Sequence, residues 1–211
     1  MPLTRLPRLR PRKPKKDSTF FHRQQFNKLK PSGSPELRWY YDLDGIDDYI
    51  TIPQVNLVAG DTVEFKIVAP SSAPSSWRAV LYGINSGSYR PNLEHSSTGF
   101  WWFDDDCTAI TVDGTPIGHG VTPFPSDGIE HTVSVTIINS DSNTYINSIG
   151  ANNTGGNSAN FPIYDVDIQA ASGDRFYAID DGPGAIEIVD SISSENGTPV
   201  NFNDPRWYEG V

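Results

Sequence analysis

Cysteine is nearly absent from this chain of 211 residues, because Cys107 is its single cysteine. No intramolecular disulfide can form, and we expect the fold to depend on its apolar core, as suits assembly in a reducing cytosol. Runs of roughly 18 apolar residues are also missing, which excludes an ordinary membrane-spanning helix. The basic start lacks the apolar stretch of about 7–15 residues that follows it in a secretory signal, so we expect no export by that route.

Acidic and basic residues are unevenly divided along the chain. Residues 1–30 contain ten lysines and arginines but one acidic residue, Asp17, and so carry about +9. The formal net charge of the whole chain is -10, which leaves about -19 for the remainder. This division predicts that the basic segment binds a partner, and nucleic acid, an acidic protein surface and self-association are all open at this point.

The first 36 residues are predicted to be a basic, proline-rich arm and linker. Like charges and prolines favour an extended chain that cannot bury a core, and they disfavour the amphipathic helix of an organellar transit peptide. Asp17 or Ser18 is suited to cap a short helix, and PSGSP at 31–35 is typical of a linker. The residues expected to anchor the arm are Arg5, Arg8, Arg10, Arg12, Lys13, Lys15, Lys16, Phe20, Phe21 and Phe26.

Short apolar runs separated by turn residues dominate from residue 37 onward. In TVEFKIVA at 62–69, for example, Val63, Phe65 and Ile67 alternate with polar residues. About ten such segments without a long helix predict one domain over 37–211, an antiparallel two-sheet jelly-roll β-sandwich. The predicted strands lie at 37–43, 49–52, 62–69, 78–84, 99–103, 109–113, 131–138, 144–149, 164–170 and 175–180.

Three motifs occur in order within this domain: YYDLDGIDDYITIP at 40–53, DGIEHTVSVTIINSDSNTYINSIG at 127–150, and FYAIDDGPGAIEIVDSISSENGTPVNFNDPRWYEG at 176–210. Together they resemble the concanavalin A-like superfamily, which includes laminin-G-like and pentraxin-like domains. The third motif is similar to the C-terminal ending of lectin-like domains in phage and bacterial surface proteins. The resemblance implies a lectin-like sandwich of the kind found in bacteriophage virion proteins.

Turn chemistry inside these motifs predicts local structure. Gly45 supplies a tight turn in DGIDD and is expected to place Ile46 inward, while Asn196-Gly197 suits a turn with positive φ. The surrounding acidic residues are interpreted as turn and edge residues rather than metal ligands. They are Asp42, Asp44, Asp47 and Asp48.

Aromatic residues of the central loops and strands form the candidate glycan-binding or interface set, since lectin-like domains stack sugars on aromatic faces. Neighbouring strand residues face opposite sides, so one of Trp101 and Trp102 is expected in the core and the other on an exposed face. Core packing is the competing interpretation for the whole set. Its members are Trp77, Tyr82, Tyr89, Trp101 and Trp102.

Paired catalytic carboxylates are missing from the sequence pattern. Glycoside hydrolases on the resembled fold share an alternating Glu-x-Asp-x-Glu strand, which holds acid and nucleophile about 5 Å apart, and we therefore predict that this protein is not an enzyme.

The candidate calcium ligands are Asp104, Asp105 and Asp106, with a solvated acidic turn as the alternative, and calcium is the one cofactor left open. No metal-ligand spacing relates the histidines, which are interpreted as ordinary surface or strand positions: His22, His95, His119 and His131.

These features together predict a virion structural protein, either a capsid decoration or a tail or fibre component, assembled in the host cytoplasm. The arm is expected to join capsid or tail proteins of a phage particle, because an acidic sandwich disfavours nucleic acid as the partner. Several copies or a homo-oligomer are expected, with a surface glycan as a further partner. The alternatives are a free carbohydrate-binding module and, less favoured, a glycan-cleaving enzyme.

Overall fold

Strands form where the sequence alternates apolar and polar residues. The computed structural model describes residues 39–41, 43–72, 75–85, 88–142, 144–151, 157–180, 185–200 and 207–209. The predicted arm, its short helix and the linker lie outside these ranges. The strands are β1 (Trp39–Tyr41), β2 (Tyr49–Asn56), β3 (Thr62–Val68), β4 (Arg78–Asn85), β5 (Ser88–His95), β6 (Trp101–Phe103), β7 (Thr108–Val112), β8 (Thr115–Pro116), β9 (Glu130–Ile137), β10 (Tyr145–Ile149), β11 (Ile163–Gln169), β12 (Arg175–Tyr177), β13 (Thr198–Val200) and β14 (Trp207–Glu209).

Two antiparallel sheets of six strands each organise the domain. The first sheet has the order β13-β2-β10-β4-β5-β6, and the second has the order β12-β11-β3-β9-β7-β8. A separate two-stranded sheet pairs β1 with β14. Because the described residues contain no helix, the predicted all-β sandwich is confirmed. Over those same ranges no helix has the length and apolar character needed to cross a membrane.

The apolar core lies between the two six-stranded sheets. Val63, Phe65 and Ile67 of β3 are fully buried, as their alternation predicts. They belong to one cluster with Ile50 and Leu81 of the first sheet. Each large apolar side chain buried in this way stabilises the fold by about 1.5–3 kcal/mol. The polar residues of the same strands are left on the outer faces of the sheets.

Four strands were not predicted, namely β5, β8, β13 and β14. β5 contains Pro91 and several polar residues, and its sequence lacks the composition of a strand. It forms because it pairs on one side with β4 and on the other with β6, and because Leu93 enters the core. Tertiary pairing thus overrides weak local preference.

Two predictions about turns were wrong. Ile46 does not point inward but is 73% exposed, because its backbone N–H is held by the Asp44 carboxylate at the tip of the turn. Gly45 lies at the predicted turn and has a positive φ of 74°. Gly197 has no positive φ, and a Cβ there would lie 3.0 Å from Ile50, so close approach to β2 explains the glycine.

Candidate functional site

Two adjacent tryptophans of β6 face opposite sides of the first sheet, as predicted. Trp101 is fully buried in the core, whereas Trp102 is 39% exposed. Trp101 packs against Phe124, with ring centroids 4.5 Å apart. Trp101 is therefore a core residue, and Trp102 is the member of the pair available to a ligand.

Trp102 forms an aromatic platform with Trp77 and His119. The ring centroids of Trp102 and His119 are 4.1 Å apart, and Trp77 meets Trp102 edge-to-face at 5.5 Å. Edge-to-face and offset arrangements of this kind are the favoured geometries of ring pairs. Gly120, with a φ of 65°, brings the loop backbone close to Trp102, since a Cβ there would lie 3.4 Å from the indole.

Backbone hydrogen bonds hold the loop that contains His119 and Gly120 against β6. The Gly120 N–H donates to the Trp101 carbonyl at 2.8 Å, and the Trp101 N–H donates to the Thr122 carbonyl at 3.0 Å. The His119 Nδ1–H donates to the Phe103 carbonyl. The platform is therefore preorganised, and a ligand need not order it on binding.

A buried carboxyl group adjoins the platform. Glu94 of β5 is the cross-strand partner of Trp102 and is 8% exposed. Burial raises the pKa of Glu94, and a hydrogen bond from the Tyr82 hydroxyl partly offsets that rise. On the same face, Asn92 has a buried Oδ1 that finds no hydrogen-bond partner among the described residues. The sheet face beside Trp102 therefore carries a buried carboxyl group and a buried amide oxygen.

The structure thus separates the predicted aromatic set. Trp77 and Trp102 come together, whereas Trp101 is core. Tyr82 is only 6% exposed and supports Glu94 rather than offering a stacking face. Tyr89 lies in β5, and its side chain is outside the described part of the structure.

Sequence reasoning missed His119 and Glu94 as members of the site. His119 stands in Gly118-His119-Gly120, where flanking glycines allow close approach to another element, and that was the available signal. Glu94 lies between Leu93 and His95 in a segment that was not predicted to be a strand. The sequence does not show which face of the sheet carries the Glu94 side chain, because that depends on the pairing of β5 with β6.

The acidic turn at Asp104, Asp105 and Asp106 follows β6 directly. Asp104 is half-buried, and Asp105 and Asp106 are exposed. Within the described ranges, the carboxylates close enough to share an ion, with ligand atoms within 4.8 Å, belong instead to Asp44, Asp47 and Asp48. Calcium binding by the 104–106 turn stays a prediction.

Hydrogen bonds inside the 44–48 cluster give it a structural role. Asp44 Oδ1 accepts from the N–H groups of Ile46 and Asp47, at 2.7 and 3.3 Å, and Asp48 Oδ2 accepts from the Asp44 N–H at 3.2 Å. The Arg78 guanidinium binds the Gly45 carbonyl in the same turn. These contacts give Asp44 and Asp48 the turn role predicted for them, whereas Asp42 lies outside the described residues.

Comparisons with protein-family models, with curated proteins and with solved structures find no match to this chain. The fold class is shown by strand order and register. Function is inferred from the platform, its polar neighbours and the charge division of the sequence.

Proposed function

We propose that this protein is a structural component of a phage-like particle that displays its β-sandwich as a glycan-binding module. The observation that carries the binding part is the partly exposed Trp102 ring, which contacts Trp77 and His119 and lies opposite Glu94 on the adjacent strand. An indole of this kind can stack on the apolar face of a sugar while neighbouring polar groups bind its hydroxyls. No catalytic step is part of the proposal.

The display part of the proposal is supported by the charge division of the sequence. Residues 1–30 carry about +9 and the remainder about -19, a division suited to an arm that binds a neighbouring protein while the sandwich stays free to bind a ligand. Capsid decoration and a tail or fibre position both satisfy this arrangement, with virion localisation after assembly in the host cytoplasm. A free carbohydrate-binding module is the alternative, since it would use the same platform without an anchor.

A glycan array with the full chain and Trp102→Ala tests the binding part. We expect clear binding by the wild-type protein and a loss of about 10- to 30-fold in the variant, as for a central aromatic contact. Ile186→Ala is the matched control, because Ile186 is 83% exposed yet lies outside the platform. Wild-type protein that binds no glycan, or binding unchanged by Trp102→Ala, would refute this part.

Removal of residues 1–36 tests the display part. The shortened and full-length chains are produced in cells that assemble the particle, and particle-bound copies are counted by mass spectrometry. We expect the shortened sandwich to remain folded and to be lost from particles. Normal incorporation of the shortened chain would contradict the anchor and favour the free module.

A further inference from the structure

A carboxyl group and an amide oxygen lie on the sheet face beside the aromatic platform. Glu94 and Trp102 are opposite each other on adjacent strands, which places their Cβ atoms about 4.5–5.5 Å apart on one face. Asn92, on the same face, has an Oδ1 that makes no hydrogen bond within the described part of the chain. Glu94 is 8% exposed and the Asn92 Oδ1 is buried, so their effect on a ligand over Trp102 is electrostatic.

Negative charge surrounds the same surface. The Asp105 side chain is 68% exposed, and its Oδ1 lies 3.9 Å from His119 Nδ1. Asp104 and Asp106 flank it in the turn that follows β6.

We propose that the platform binds a neutral or amine-bearing, hydroxyl-rich sugar and rejects sugars that carry a carboxylate, sulfate or phosphate. This inference rests on the proposed glycan-binding function and names its ligand class. The negative charges of Glu94 and Asp105 repel an anionic group on the ligand. In water, one carboxylate about 7 Å away lowers the affinity for a singly charged anionic ligand roughly two- to threefold. The two carboxylates together therefore lower that affinity about five- to tenfold at low salt.

The test compares neutral and anionic sugars of matched length on the full chain at low ionic strength. The probes are immobilised oligomers of glucose, mannose and N-acetylglucosamine, with uronic-acid and sialylated chains as their charged counterparts. We expect the neutral member of each pair to bind at least fivefold more tightly. Glu94→Gln keeps the size of the side chain but removes its charge, and should narrow that ratio two- to threefold.

Glu64→Gln provides the control, because Glu64 is an exposed carboxylate on the outer face of the second sheet. It should leave the ratio unchanged. Anionic chains that bind the wild-type protein as tightly as their neutral counterparts would overturn the ligand class while leaving glycan binding intact. If Glu94→Gln does not narrow the ratio of the affinities for neutral and anionic sugars, the role of Glu94 would be overturned. Absence of binding to every chain would instead remove the proposed function, and this inference with it.

Discussion

His131 of β9 is held between two carboxylates, which makes its contribution to stability dependent on pH. Its Nδ1 lies 2.7 Å from Asp113 Oδ2, and its Nε2 lies 3.1 Å from both oxygens of Asp127. A protonated ring donates to both partners, whereas a neutral ring can donate to only one. Burial lowers the pKa of His131, but the hydrogen bonds and charges of the two aspartates outweigh burial and raise it above its usual value.

The sign of the pH effect follows from that raised pKa. A folded-state pKa above the unfolded value of about 6.5 gives stability that is fully present below pH 6.5 and is lost as pH rises through the folded pKa. Hydrogen bonds from His131 lower the pKa values of Asp113 and Asp127, so their contribution is present at neutral pH and is lost under acid conditions. The stabilisation is therefore greatest in weakly acidic solution.

We expect His131→Gln to lower the free energy of unfolding by about 1 kcal/mol at pH 5.5. The value is modest because the side chains of Asp113 and Asp127 are 53% and 47% exposed, and solvent screens both contacts. For a domain of this size it corresponds to a fall in Tm of about 2–4 °C. At pH 9 the difference between variant and wild type should be smaller, because the neutral ring donates to only one of the two aspartates.

Urea unfolding at pH 5.5, 7 and 9 measures this difference. Asp113→Asn is the companion variant, because asparagine tolerates the left-handed backbone of residue 113, with a φ of 50°, and retains an acceptor for the Thr132 N–H. It should show the same decline with rising pH. A cost of His131→Gln that is constant across the three pH values, or that grows with pH, would refute the reasoning.

Three further predictions concern the core, a turn and a buried carboxylate. Trp101→Ala should lower the free energy of unfolding by about 3–5 kcal/mol, because the Trp101 ring is fully buried. Trp102→Ala should lower it by less than about 1 kcal/mol, because the Trp102 ring is partly exposed. Equal shifts in thermal melting would contradict their assignment to opposite faces. Gly150→Ala should destabilise by about 2–3 kcal/mol and Gly60→Ala by about 1 kcal/mol. Both glycines have positive φ, but their surroundings differ. A Cβ at residue 150 would lie 2.5 Å from a methyl group of Leu43, whereas a Cβ at residue 60 would meet nothing within 4 Å. Similar urea midpoints for the two variants would contradict the steric explanation. Asp190→Asn should cost about 2–3 kcal/mol, because an amide NH2 in place of the buried Oδ2 would face the N–H and hydroxyl of Ser193 and the Arg175 guanidinium, which are all donors. An unchanged urea midpoint would show that this network is dispensable.

Strands with clear alternation were predicted closely. The segment at 62–69 became β3 (Thr62–Val68), and the segment at 131–138 became β9 (Glu130–Ile137). In both, a period of two carries apolar side chains to one face and needs no knowledge of the partner strand. β5 was missed because Pro91 and its polar neighbours weaken the pattern, and the strand exists through its two neighbours.

The candidate site was only partly predictable. Alternation was enough to place Trp101 and Trp102 on opposite faces, but not to say which of them is exposed. The stacking of His119 on Trp102 depends on a loop that returns to β6 through backbone hydrogen bonds, and such returns leave little trace in local sequence.

The sequence by itself determined the all-β class, the basic arm's charge and the division of the two tryptophans, because each follows from composition or from a period of two. Tertiary structure decided the order of the sheets, the exposure of Trp102 and its meeting with Trp77, His119 and Glu94. The physical reason is that β-pairing joins segments distant along the chain. Register between them, rather than any single segment, sets which side chains share a face.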